Sequence, residues 1–239
     1  MNITKRLSPN KYKGRSGWKP DCIVCHITEG AYMGAVSWLS NPVSEASAHF
    51  VVAKDGRITQ LVELTDGSWC NGTSSDPASR IYFGKSTLSA VRDRKTNANY
   101  YTISIEHEGI WADAHGKLAD AQLAATIELI RYIRAEVKRI YGVDIPLDRE
   151  HIVGHYQISP VNKPNCPGSA FQFDEIIKQL RIPEVVVSDY EVERTQDWAR
   201  LKKVGILSSA IPDTTAVPKD ELAVILCRFA DALAKGVKI

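Results

Sequence analysis

The hydrophobic pattern of the chain changes its period between residues 101 and 141, and this change restricts the fold more than any other feature. Residues 101–108 alternate apolar and polar side chains, which is typical of a β-strand. From Asp120 to Tyr141 the apolar residues recur at spacings of three, four and seven, as on one face of a helix. Asp120 is expected to cap the start of this helix and Gly142 to end it. Strands and helices of this length predict an α/β domain.

Earlier segments add further strands and one short helix. An Asp-Gly pair at residues 55–56 is a strong hairpin turn signal, and it separates two runs of extended character. The predicted architecture is a central mixed β-sheet flanked by helices. The additional predicted elements are strands at Cys22–Ile27, 48–52 and 57–62 and a helix at Tyr32–Leu39.

A domain boundary is predicted near Pro183. Beyond it the strand signals fade, and two helical patterns remain, at residues 190–204 and 219–235. We therefore expect a first domain at residues 1–182 and a small C-terminal helical domain at residues 183–239. Because a segment this short has little core of its own, it is expected to dock on the first domain or to pair with a second copy. The chain is accordingly expected to be a monomer, or a dimer through this segment.

The composition excludes several classes of protein. With 30 basic and 28 acidic residues the net charge is +2, so the chain lacks the strongly basic surface that nucleic-acid binding requires. No apolar stretch approaches the ~20 residues of a membrane span. The 5 cysteines are an odd number in a chain too long to need disulfides, so we expect free thiols. The first residues lack the apolar core of a secretory signal, which predicts synthesis in the cytoplasm without a signal peptide.

One strand end and one loop together indicate a zinc site. His26 lies at the end of the apolar strand at Cys22–Ile27. His155 and Cys166 are eleven positions apart, in a loop rich in Pro and Asn that can fold back on itself. Three nitrogen and sulfur donors from these places would leave the fourth coordination position open, which is the catalytic arrangement of zinc. A lone histidine at a strand end is more often structural, so the prediction depends on all three donors.

The order of the segments resembles that of the zinc-dependent N-acetylmuramoyl-L-alanine amidases of type 2, a family that also includes peptidoglycan recognition proteins. Each segment alone is a weak motif, but six in the family's order are specific. The matching segments are residues 23–30 (IVCHITEG), 47–52 (SAHFVV), 54–62 (KDGRITQLV), 104–109 (SIEHEG), Gly154-His155 and Cys166-Pro167-Gly168.

The resemblance implies that His26, His155 and Cys166 bind zinc. It also implies a catalytic carboxylate, and Glu106 matches the family's first acidic residue before the glycine. Glu106 is therefore expected to act as the general base that takes a proton from the attacking water. Glu108 is the alternative, because it lies two positions further on the same strand face.

Two further roles follow from the resemblance, the stabilisation of the oxyanion and the binding of substrate. Lys163 is expected to stabilise the developing oxyanion, although relatives place this lysine two residues before the third ligand rather than three. Asn165 is the alternative donor. Trp69 and Asn71 are expected to bind substrate; they flank Cys70 in a Trp-Cys-Asn-Gly segment where many relatives read Trp-His-Ala-Gly.

The implied reaction is hydrolysis of the amide bond between N-acetylmuramic acid and L-alanine in bacterial peptidoglycan, a bacteriolytic and antimicrobial activity. Residues 197–229 resemble half of an S-layer homology repeat, which attaches proteins to cell-wall polymers. Together with the missing signal, this predicts a phage endolysin or autolysin that reaches the wall through holin-type release. The alternatives are a cytosolic amidase that recycles soluble muropeptides, and a non-catalytic module that only binds peptidoglycan.

Overall fold

The computed structural model describes residues 1–182. Met1–Pro183 form one compact unit. Within the described residues, no helix is both long enough and apolar enough to cross a membrane. The helices predicted beyond residue 182, the S-layer resemblance and the dimer through that segment lie outside the described residues, so the division into two domains stays a prediction.

A mixed sheet forms the centre of this unit. Its strands, with those of a small two-stranded ribbon, are β1 (Ile3–Lys5), β2 (Lys11–Tyr12), β3 (Cys22–Ile27), β4 (Phe50–Val52), β5 (Ile58–Gln60), β6 (Gly67–Ser68), β7 (Thr102–His107) and β8 (Ile152–Gly154). The order in the main sheet is β1-β5-β4-β7-β3-β8, whereas β2 and β6 form the ribbon. Only β4 and β5 pair antiparallel in the main sheet. The predicted mixed sheet is confirmed.

Helices flank the sheet, as predicted. They are α1 (Tyr32–Leu39), α2 (Ser89–Arg94), α3 (Trp111–Ala114), α4 (Asp120–Tyr141), α5 (His155–Ile158) and α6 (Phe173–Arg181), with single 3-10 turns at Pro42–Ser44, Phe83–Lys85 and Ala98–Tyr100. The bounds predicted for α1 and α4 match the structure. Gly142 ends α4 in the left-handed region, at φ 68°, and its N–H donates to the Lys138 carbonyl.

One detail of α4 differs from the prediction. Asp120 is the first helical residue, and the N-cap position is taken by Ala119, whose side chain has no oxygen to bind the free N–H groups. Asp120 instead contributes a negative charge in the first turn, where the helix dipole favours it.

The two faces of the sheet bury different clusters, and this places the site. On β3, Ile23 and Cys25 face the large apolar cluster that contains α4 and α6, whereas Cys22 and Val24 face a smaller cluster on the other side. Since side chains alternate along a strand, His26 shares the face of Val24. Polar residues at the end of β3 therefore face away from the main core.

Candidate metal centre

Three potential metal ligands come together at the edge where β3 and β8 end. The donor atoms of His26, His155 and Cys166 all lie within 4.8 Å of one another. His26 Nδ1 lies 3.8 Å from Cys166 Sγ. The two imidazole rings meet edge to face, with centroids 4.5 Å apart. The structure thus brings together the three residues in which the sequence predicted a zinc site.

The sheet register explains why the two histidines meet. β8 runs parallel to β3, and Gly154 at its end is the partner of Cys25. The next residue on each strand is a histidine, so His26 and His155 leave the sheet side by side. His155 begins α5 and is buried.

Cys166 reaches the histidines because its loop folds back onto α5. The Tyr156 N–H donates to the Cys166 carbonyl at 2.9 Å, and the Cys166 N–H donates to the Lys163 carbonyl at 3.3 Å. Two backbone hydrogen bonds therefore fix the position of the thiol. The cysteines within residues 1–182 are all free.

Two glycines hold this loop against a turn from another part of the chain. Gly116 and Gly168 have φ values of +85° and +136°, which side chains rarely adopt. A Cβ on Gly168 would lie 2.1 Å from the His115 carbonyl oxygen, and one on Gly116 would lie 2.4 Å from that of Pro167. The backbone that carries Cys166 can pack this closely only because both positions lack a side chain.

The two imidazoles are in the protonation state that binds a metal ion, whereas the thiol must first lose its proton. Burial lowers the pKa of His26 well below its usual value and that of His155 to about 3, with nearby positive charge adding to both effects. Both imidazoles are therefore neutral and keep a lone pair. Burial, reinforced by the charge of Glu106, raises the pKa of Cys166 to about 12. A metal ion that binds here must displace the thiol proton.

Glu106 lies beside the three ligands. It is the register partner of His26 on β7, so both side chains leave the same face of the sheet. Burial raises the pKa of Glu106 to about 8, and the positive charge of Lys163 opposes this shift. Its Oε2 atom is buried and has no hydrogen-bond partner within residues 1–182. A carboxylate with one free oxygen can accept a proton from a reacting group.

Glu108, the alternative base, is occupied elsewhere. One carboxylate oxygen accepts the Tyr32 N–H at 3.0 Å, and the other accepts the Lys54 N–H at 2.8 Å. Its carboxylate thus satisfies two backbone groups, one of them at the start of α1. Of the two glutamates, only Glu106 belongs to a group of potential metal ligands in the described part of the chain.

The loop before Cys166 carries both candidates for the oxyanion donor. Lys163 is exposed, and its positive charge adds to the burial that lowers the pKa of His155, whereas it opposes the rise in the pKa of Glu106. Asn165 is also exposed, and it lines a pocket of about 320 Å³ together with Trp111 and Tyr156. The electrostatic influence on the site thus belongs to Lys163, despite the additional residue between it and Cys166.

The Trp-Cys-Asn-Gly segment lies beside the site, but its residues differ in their surroundings. Trp69 and Cys70 line a cleft of about 390 Å³ that also contains Tyr12 and Asn99. Asn71 is fully buried and donates hydrogen bonds to Thr102 Oγ1 and Ser104 Oγ on β7, at 3.0 and 2.7 Å.

The amide nitrogen of Asn71 thus holds the segment against the sheet, whereas its Oδ1 has no hydrogen-bond partner within residues 1–182. The contact of Cys70 with His26 was not predicted from the sequence. Cys70 Sγ lies 3.4 Å from His26 Nε2 and 3.8 Å from Glu106 Oε1. Only the unusual Trp-Cys-Asn-Gly sequence singled out this position.

Comparison with known protein families shows to which family the chain belongs. The model of the family described as "Amidase_2: N-acetylmuramoyl-L-alanine amidase" matches residues 16–169. The chain belongs to the N-acetylmuramoyl-L-alanine amidase family. This range contains each of the site residues considered above.

Two relatives are similar to this amidase-family chain in sequence. N-acetylmuramoyl-L-alanine amidase A of Achromobacter lyticus is 34% identical over 134 residues, which are 56% of this chain and 61% of the relative. The 1,6-anhydro-N-acetylmuramyl-L-alanine amidase AmpD of Haemophilus influenzae is 28% identical over 135 residues, which are 56% of this chain and 59% of the relative. The match thus spans about three-fifths of the length of each relative.

Solved structures share the fold of this amidase-family domain. The E90A mutant of PlyL superposes with a TM-score of 0.53 at 16% sequence identity, over 77% of this chain and 100% of that chain. A selenomethionine derivative of AmpD gives a TM-score of 0.50 at 20% identity, over 74% of this chain and 93% of that chain. At these identities the likeness concerns the fold alone.

Proposed function

We propose that the chain is a zinc-dependent amidase that hydrolyses the bond between N-acetylmuramic acid and L-alanine in bacterial peptidoglycan. The observation that carries this proposal is the convergence of His26, His155 and Cys166 within 4.8 Å, in a chain of the amidase family. Two neutral imidazoles and one thiol are donors that zinc prefers, and three protein ligands leave a position for the reaction. The family and the donor set therefore support the same chemistry.

In the proposed reaction, zinc held by these three side chains would supply a Lewis acid that polarises the amide carbonyl and lowers the pKa of water. Glu106 takes the proton from the attacking water through its unpartnered Oε2. Lys163 lies close enough to favour negative charge at the site, and it stabilises the oxyanion that develops from the carbonyl. Trp69, which lines the adjoining cleft, contacts the substrate.

Metal analysis and one pair of variants test this proposal. We expect about one zinc per chain in the purified protein. Cys166→Ala is expected to lose both the zinc and the amidase activity. Cys166→Asp restores an oxygen donor and is expected to recover part of the zinc binding. Wild-type activity in a zinc-free Cys166→Ala protein would overturn the ligand set. It would also show that the reaction does not depend on zinc.

We further propose that the enzyme acts on the polymeric wall, as an endolysin or autolysin. The support is the segment beyond residue 182, whose sequence resembles half of a wall-binding repeat. The full chain and residues 1–182 should therefore cleave soluble muropeptide at similar rates, whereas the full chain should clear a suspension of purified walls faster. Activity on muropeptide with none on walls would favour the recycling amidase. Wall binding without cleavage would favour a recognition module.

A further inference from the structure

Cys70 contacts both a proposed metal ligand, His26, and the proposed general base, Glu106. Its Sγ atom lies within hydrogen-bonding distance for sulfur of both His26 Nε2 and Glu106 Oε1, at 3.4 and 3.8 Å. Cys70 is grouped with His26 and Glu106, and it does not belong to the group that contains His155 and Cys166. It therefore contacts a metal ligand without being placed to share the same metal ion.

The orientation of the His26 ring decides which group is the donor in its contact with Cys70. A neutral imidazole carries one N–H, and the nitrogen that binds a metal must offer a lone pair. Nδ1 is the nitrogen that faces Cys166, at 3.8 Å. When a metal ion is bound to Nδ1, the proton must therefore reside on Nε2, which faces Cys70. Metal-binding histidines usually donate this second N–H to a neighbouring acceptor, which fixes the orientation of the ring.

A neutral thiol can accept and donate at the same time. With the proton of His26 on Nε2, this N–H donates to Cys70 Sγ, and the S–H donates to Glu106 Oε1. Glu106 Oε2 then stays free on the other side of the carboxylate, without a partner in the described residues. Once the metal is bound and Glu106 has lost its proton, the hydrogen bonds run in one direction, from His26 through Cys70 to Glu106.

We propose that Cys70 is a positioning residue that fixes the tautomer of His26 and orients the carboxylate of Glu106. The proposal rests on the proposed function, since it requires a metal ion at Nδ1 of His26. It goes beyond the zinc ligands and the base, because it assigns a role to a cleft residue that touches both.

Substitutions at Cys70 test this role through zinc affinity, which is measured by competition with a chelating indicator. Cys70→Ala removes both hydrogen bonds, whereas Cys70→Ser keeps a group that accepts and donates. Cys22→Ala is the matched control, because it removes a buried thiol from the strand that carries His26, within an apolar cluster with Val24 and Leu88. This control separates loss of stability from loss of metal binding.

We expect Cys70→Ala to weaken zinc binding about 10–100-fold, which is typical of lost support for a metal ligand. Cys70→Ser should stay within about threefold of the wild type on the same scale. Cys22→Ala should lower the unfolding temperature while zinc affinity stays unchanged. Unaltered zinc affinity in Cys70→Ala, or equal losses in the Ser and Ala variants, would overturn the proposal.

Two spectroscopic measurements use proteins that retain their fold even if Cys70→Ala does not. Nitrogen NMR of the zinc-loaded wild type should show the His26 proton on Nε2, and a proton on Nδ1 would contradict the proposal. In the cobalt-substituted protein, Cys70→Ser should keep the thiolate-to-metal charge-transfer intensity of the wild type. A loss of intensity would make Cys70 a metal ligand instead of a positioning residue.

The outcomes for the two proposals are distinct. If the wild type binds no zinc and cleaves no muropeptide, the proposed function fails and the role of Cys70 fails with it. If the wild type binds zinc and cleaves muropeptide, but substitutions at Cys70 leave zinc affinity unchanged, only the role of Cys70 is overturned.

Discussion

His26 and Glu106 are register partners on the adjacent parallel strands β3 and β7, so the imidazole and the carboxylate leave the same face of the sheet. Their spacing is set by two backbones rather than by a flexible loop. A proposed ligand and a proposed base thus keep a fixed relation whether or not a metal is present. It follows that the base can be altered without moving the ligand.

Glu106→Gln tests this separation. Because the amide cannot take a proton, kcat on soluble muropeptide should fall about 10²–10⁴-fold. The zinc content and the unfolding temperature should stay close to those of the wild type, since Gln keeps the size of the side chain. Loss of zinc together with activity would show that Glu106 acts as a ligand and not as the base.

Glu108→Gln is expected to have the opposite result. Its carboxylate accepts the N–H groups of Tyr32 and Lys54, and an amide offers only one oxygen in their place. The free energy of unfolding should therefore fall by about 1–2 kcal/mol, while kcat is retained in the folded fraction. Denaturant unfolding and muropeptide kinetics on one preparation check both parts. A large drop in kcat without loss of stability would return Glu108 to the role of base.

Lys163→Gln should reduce kcat more than it changes KM, because the charge matters most when the oxyanion develops. Removal of a single oxyanion donor typically costs about 10²–10³ in kcat. Asn165→Ala is the matched control in the same exposed loop, and it should leave kcat within about threefold of the wild type. The reverse ranking of the two variants would assign the donor to Asn165.

Zinc binding should release protons from two groups at pH 7. In the metal-free protein the Cys166 thiol, with a pKa raised to about 12 by burial, is protonated. Glu106, with a pKa raised to about 8 for the same reason, is mostly protonated. The histidines are neutral and release none. Since the bound form holds fewer protons, zinc affinity rises with pH.

Calorimetric zinc titrations in buffers with different ionisation enthalpies count these protons. We expect nearly two per zinc for the wild type and about one for Glu106→Gln, from the pKa values of the two groups. Equal counts in the two proteins would show that Glu106 is already ionised before the metal binds.

Arg15 should be important for stability although it lies outside the site. Its buried guanidinium donates to the carbonyl oxygens of Leu64, Tyr100 and Thr102, at 2.9, 3.1 and 3.1 Å. Arg15→Met leaves these oxygens without their donors, which should lower the free energy of unfolding by about 2–3 kcal/mol. Denaturant unfolding measures the loss. The exposed Arg139→Met is the control and should leave the midpoint unchanged; an equal effect would contradict the prediction.

Local pattern was sufficient for the main elements of the fold. The bounds of β3, α1 and α4 follow from runs of apolar residues and from the glycine that ends α4, and these signals lie within each segment. The ends of shorter strands did not follow so closely: residues 48–52 were predicted as a strand, and only Phe50–Val52 pair in the sheet. Pairing depends on the neighbouring strand, which the segment itself does not encode.

Some residues of the candidate site could likewise be predicted from local sequence, and others could not. The family's segment order pointed to His26, His155 and Cys166, because each lies in a short stretch with its own signature. The surroundings of Asn71 and Cys70 depend instead on how their segment packs against β7, about thirty residues further along the chain. The sequence Trp-Cys-Asn-Gly alone therefore does not predict that the amide of Asn71 is buried or that the thiol of Cys70 contacts His26.

Gly116 and Gly168 set limits for any attempt to redesign this protein. Random libraries that include either position would be dominated by variants whose third donor is displaced, since a Cβ there would collide with backbone. The exposed stretch from Val161 to Asn165 carries no such restriction on size. Laboratory evolution toward new amide substrates is therefore best directed at the other residues of that stretch, with Lys163 and both glycines held constant.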